Sequence, residues 1–150
     1  MMSSLPNWQQ LPNLELYLDQ VLLYINQETS PFLAHHEKPL TASMVNNYVK
    51  HGYIPKPVKK KYNRAHLARL IILSICKPIF PIADIQEIID LLKKDHEAAE
   101  LYNAFVACFS GNETAEYPTI LQKACQTIHF YQETLALIPS LKGEDYEPKL

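Results

Sequence analysis

Glycine is scarce in this chain, three in 150 residues, and that scarcity excludes a glycine-rich phosphate cradle of the P-loop or dinucleotide type. No Gly-x-Ser-x-Gly elbow occurs, and no nucleophile with its base can be assembled, so the sequence points away from an enzyme. Cysteine is confined to Cys76, Cys108 and Cys125, an odd and widely spaced set, each inside an apolar run such as LIILSIC or NAFVACF. These read as reduced core residues and favour a reducing compartment. The longest apolar stretch, LIILSICKPIFPI, is broken by Lys77, Pro78 and Pro81 and is shorter than the roughly 18–20 residues of a spanning helix. The opening MMSSLPNWQQLPNLEL has neither a basic n-region nor an apolar h-region, so a cytoplasmic protein with no membrane partner is expected. His35, His36 and Glu37 are adjacent rather than one helical turn apart, which argues against a metal site, and no cofactor is expected.

The absence that carries most information is that of acid in the middle of the chain. Lys38 to Ala83 holds nine basic residues and no Asp or Glu, against four acids and no base in residues 1–37 and twelve acids with five bases in residues 84–150. A formal charge of −2 therefore hides segments of +9, −4 and −7. Segregation of this kind points to a polyanionic partner.

What is present is mainly helical periodicity. Asn13 is placed to cap a first helix whose stripe is Leu14, Tyr17, Leu18, Val21, Leu22 and Ile25. ETSPFLAHHEKPL, with two prolines, reads as a connection with one short turn. A second helix is expected from Thr41 as N-cap to Gly52, a residue that readily takes the left-handed conformation at a helix end. Met44, Val45 and Tyr48 form its apolar side, while Ser43, Asn46, Asn47 and Lys50 fall at i, i+3, i+4 and i+7 opposite. YIPKPVKKKY then forms an extended loop or hairpin, since its prolines forbid helix. Asn63 caps a third helix to about Cys76, and IADIQEIIDLLKK makes a fourth. Two more helices follow Asp95, ended by Gly111 and by Pro139 and Gly143. The expected organisation is an all-α DNA-binding region over residues 10–94, a helical pair over 95–143 and a loose tail at 144–150.

This order of elements is that of a winged helix-turn-helix. A helix with Ser43, Asn46, Asn47 and Lys50 on its open side suits the major groove, where Asn bonds bidentately to adenine and Lys to guanine. The loop lysines Lys56, Lys59, Lys60 and Lys61, with Arg64 and Arg69 in the next helix, would contact phosphates and set the register on double-stranded DNA. The stretch NNYVKHGYIPKPVKKKYNRAHLARL resembles the MerR-type winged helix. Gly52, Ile54 and Pro55 match its turn, Lys61 and Tyr62 the end of its wing, and His66, Leu67, Leu70 and Ile71 its next helix. Residues 10–110, from LPNLELYLDQVLLYIN through EKPLTASMVNNYVKHGYIPKPVKKKYNRAHLARLIIL, are similar to the bacterial domain of unknown function 1836. The resemblance to MerR-type proteins implies a DNA-binding transcriptional regulator. The metal-binding cysteines of metal sensors are missing, and Gly111 and Pro118 break what would be one long dimerisation helix. Operators are commonly palindromic, so a homodimer is expected, with any small-molecule effector unknown. The alternative is a helical interaction or ligand-sensing module that keeps the fold without binding DNA.

Overall fold

The computed structural model describes residues 4–34, 37–112 and 116–143. Its elements begin with α1, Leu18–Thr29, followed by α2, Ala42–Lys50, and α3, Arg64–Cys76. Then come α4, Ile82–Leu92, α5, Ala98–Phe109, α6, Thr119–Ala136, and the short α7, Ile138–Lys142. Single 3-10 turns occupy Trp8–Gln10 and Ser30–Phe32, the second being the turn expected in the first connection. Among the described residues the fold is all-helical apart from two isolated antiparallel bridges, Leu16 with Tyr62 and Val58 with Lys61.

Local chemistry accounts for the starts of α2 and α3. The Thr41 hydroxyl accepts from the Met44 amide at 3.2 Å, and the Asn63 side chain accepts from the His66 amide at 3.2 Å. Each satisfies a donor that the first helical turn leaves without a partner. α1 departs from expectation: it begins at Leu18 behind Tyr17, not behind Asn13. The reason is competition for the backbone, because Leu16 exchanges both of its hydrogen bonds with Tyr62, at 2.9 and 2.8 Å. An extended pairing 46 positions apart in the chain thus removes the first expected turn and leaves Leu14 70% exposed.

α3 is the axis of the molecule. From His66 to Cys76 its side chains are buried on almost every side, with Arg69 and Ile72 only partly so, because α1, α4 and α5 all pack against it. A helix apolar all round is what an interior position requires. Leu67, Leu70 and Ile71 are fully buried, each worth about 1.5–3 kcal/mol of transfer free energy. One cluster of buried side chains runs from Leu5 to Ile128, so the stretches 10–94 and 95–143 share a core.

The first described residues join that core through α5. The Tyr102 hydroxyl donates to the Pro6 carbonyl at 2.7 Å, and the Trp8 amide donates to Asn103 Oδ1 at 2.7 Å. The Trp8 ring meets Tyr102 edge-on at 6.3 Å. Among the described residues no helix is long and apolar enough to cross a membrane. The tail read as loose lies outside the described residues.

Candidate nucleic-acid interface

α2 divides along its length as its spacing predicts. Val45 and Tyr48 are buried, whereas Ser43, Asn46, Asn47 and Lys50 are all exposed. Among the described residues, no hydrogen bond or ion pair engages these four side chains. Two amides, a hydroxyl and an ammonium therefore stand free on one helical face, with no carboxylate among them.

The ends of α2 are held firmly. Ahead of it, the Asn26 side chain of α1 grips the backbone of Leu40, donating to its carbonyl at 3.0 Å and accepting from its amide at 2.8 Å. Behind it, the Gly52 amide bonds the Val49 carbonyl at 3.1 Å and the Tyr53 amide bonds the Tyr48 carbonyl at 2.8 Å. This is a Schellman arrangement, which needs a left-handed residue at Gly52, where φ is +73°. The Tyr48 and Tyr53 rings, 6.3 Å apart, supply the apolar contact that accompanies it. The Gly52–Tyr53 turn is gripped again from outside α2. Gln86 of α4 donates to the Gly52 carbonyl at 2.8 Å, and Arg69 of α3 donates to the Tyr53 carbonyl at 3.3 Å. Asn26 and Gln86 were invisible as positioning residues in the sequence, since their partners lie 14 and 34 positions away.

The lysine loop is a two-residue hairpin. Val58 and Lys61 bond each other's backbone at 3.2 and 2.9 Å, with Lys59 and Lys60 as the central residues at φ +51° and +65°. Two positive φ values make this the turn of type I′ sense that matches strand twist, a place where Asn-Gly is the usual occupant. Here both positions carry lysine, at a cost of about 1 kcal/mol or more each for left-handed backbone with a side chain.

Lys56, Lys59 and Lys60 are exposed and, among the described residues, without a partner. The other three basic residues of the expected phosphate set are drawn into the fold. Lys61 lies 4.0 Å from the Glu15 carboxylate and 5.7 Å above the Tyr17 ring. Arg64 donates to the Leu11 carbonyl at 3.3 Å and lies over Trp8, with its Nε buried and unpartnered. Arg69 is tied to Tyr53 and stands 3.6 Å from Asp90; burial lowers its pKa, against the opposing pull of Asp90.

His66 joins the segment that carries the lysine hairpin to α3. Its Nδ1 accepts from the Asn63 amide at 3.0 Å, which leaves Nε2 as the protonated nitrogen, donating to the Pro55 carbonyl at 3.1 Å. Burial of the ring lowers its pKa, opposed by the backbone at Pro55 and Lys56.

Among the described residues no group of three His, Cys, Asp or Glu is placed to hold a metal; His35 and His36 lie outside them. Cys76 and Cys125 are buried and all three cysteines are free thiols. Burial pushes the Cys76 thiol up to about 12, so it carries no thiolate at neutral pH. No curated protein and no solved structure matches the chain. The model of the family described as Domain of unknown function (DUF1836) matches residues 6–105, a span that includes α1 to α4 and most of α5, and the chain belongs to that family.

Proposed function

We propose that the protein is a sequence-specific binder of double-stranded DNA that regulates transcription and reads the major groove with α2. In this reading it is a winged helix-turn-helix of MerR-like type and not an enzyme. The observation that carries the reading is the uncharged polar face of α2, free of internal partners, beside a hairpin whose tip is two exposed lysines. Ser43, Asn46, Asn47 and Lys50 face base edges, and Lys56, Lys59 and Lys60 face phosphates. Lys61, Arg64 and Arg69 serve chiefly to hold the wing and α3 in place. Acid-free surface on this segment favours approach to a polyanion, and the acidic C-terminal segment directs that approach to one side. A homodimer fits the same reading, since Phe130 of α6 and Leu141 of α7 are large apolar side chains left 68% and 85% exposed, available to a second copy.

The test is selection of bound fragments from genomic DNA, followed by mobility-shift titration at several salt concentrations. A retained fragment with a steep salt dependence is expected. Replacing Lys56, Lys59 and Lys60 with Ala should flatten the log–log slope by about 2.7, at about 0.9 per phosphate released. An unaltered slope removes the wing from the interface, and failure to retain any fragment at low salt sinks the DNA reading altogether.

A further inference from the structure

A cavity of about 130 Å³ lies among α3, α4, α5 and α6, behind the turn that links α2 to the wing. Its walls are almost wholly carbon, including Ala68 and Ile72 of α3, Ile88 and Ile89 of α4, Phe105 of α5 and Ala124 of α6. The volume decides what can enter. An apolar cavity of about 150 Å³ takes a benzene ring, so the recess, open to solvent on one side, suits a small ring. The charged residues on its wall are Arg69 and Lys93. Arg69 is committed to Tyr53 and Asp90, while Lys93 is exposed and, among the described residues, unpaired. An apolar chamber with one available ammonium selects an apolar body carrying one negative charge, and the Phe105 and Trp8 rings beside it favour an aromatic body.

We propose that this cavity binds a small aromatic monocarboxylate, its ring between α3, α4 and α5 and its carboxylate at Lys93. Occupancy would act on α4 first, because Ile85, Ile88, Ile89 and Leu92 of that helix all border the cavity and only Ile85 among them is buried. α4 also carries Gln86, which holds the Gly52 carbonyl, and Asp90, which holds Arg69. A ligand that shifts α4 therefore shifts the turn between α2 and the hairpin. This regulatory consequence rests on the DNA-binding reading; the binding site itself does not.

Trp8, the sole tryptophan of the chain, borders the cavity and reports on it directly. The full chain is titrated with phenylacetate, and with toluene as the neutral probe, while Trp8 emission is followed. Both probes are expected to give a saturable change, phenylacetate binding tighter by about two- to fivefold, the worth of one exposed ion pair. Lys93→Gln should remove that advantage and leave toluene binding intact. Ala124→Phe should abolish both responses by filling the chamber. If circular dichroism shows that variant unfolded, Ala98→Phe on the partly exposed wall serves the same purpose. No saturable change with either probe overturns the site, as does a change that persists in a folded filling variant. A change that follows protein concentration instead of probe also overturns it, by assigning the chamber to a second copy. Equal affinity for the two probes in the wild type overturns the carboxylate assignment. Phenylacetate binding in a protein that retains no DNA refutes the regulator reading and leaves the pocket standing.

Discussion

Lys59 and Lys60, proposed to face phosphates, occupy a turn that the fold accommodates at a cost. Both sit at positive φ, where a side chain meets the backbone and only Gly, Asn or Asp is accommodated readily. Nothing in the fold compensates, since neither lysine touches a partner among the described residues. Under the proposed DNA-binding role, the strain at this exposed tip is kept for the charges it presents. Lys59→Asn with Lys60→Gly should raise stability to urea by roughly 1–2 kcal/mol, by fitting the turn that Asn-Gly prefers. The same pair should weaken DNA retention, and a stabilised variant with undiminished retention would deny the tip a binding role. His66 gives a second prediction at this scale. Its neutral ring accepts from the Asn63 amide; a proton on Nδ1 would end that bond and turn the nitrogen toward Asn63 Oδ1, 3.0 Å away. With its folded-state pKa below the ordinary value, the residue is neutral in both states above about pH 6.5. As pH falls below that, the unfolded chain takes up the proton first, and stability declines until the folded-state pKa is passed. Urea melts at pH 7.5 and 5.5 should show a smaller loss in His66→Gln than in the wild type.

At the scale of elements, α2, proposed as the reader of DNA, has only nine residues. α2 is too short to be stable alone, since isolated helices below about 12–15 residues are marginal in water. Its stability comes from the Thr41 cap, the Gly52 closure, the burial of Val45 and Tyr48, and the Asn26 clamp on Leu40. The long connection between α1 and α2, which departs from a usual helix-turn-helix turn, is anchored by that clamp just before the helix starts. Asn26→Ala should therefore cost about 1–3 kcal/mol, for two partly buried backbone groups left without partners. It should also reduce DNA affinity, although Asn26 is not on the exposed face. An affinity unchanged despite lost stability would show that α2 keeps its orientation without the clamp.

For the whole molecule, one buried cluster joins the N-terminal turn, the central helices and the C-terminal helices, and a single cooperative unfolding unit is expected. Tyr102 is buried and bonds the Pro6 carbonyl, its own ionisation being pushed up by burial. Tyr102→Phe should lower global stability by about 1 kcal/mol, the net worth of one such hydrogen bond. Far-UV ellipticity and Trp8 emission should fall together in one transition, since Trp8 reports α5 and ellipticity reports every helix. Separate midpoints would show that residues 95–143 fold apart from the rest.

The sequence by itself determined whatever depends on neighbours three or four positions away. Thr41 and Asn63 as caps, Gly52 as a terminator and the two faces of α2 are all interactions within one helical turn, so their signals are local and legible. The charge asymmetry was equally plain, because counting residues needs no coordinates. Only the tertiary structure decided the start of α1, where pairing of Leu16 with Tyr62 outcompetes a helical turn. It also decided the roles of the basic residues. Arg64 and Arg69 look like Lys59 in a charge count, yet packing brings backbone carbonyls and the Trp8 ring to their guanidinium groups and leaves the hairpin lysines in water. The physical reason is the same throughout: a side chain's partner across the core depends on how helices cross, and four helices line a common recess only after they have packed.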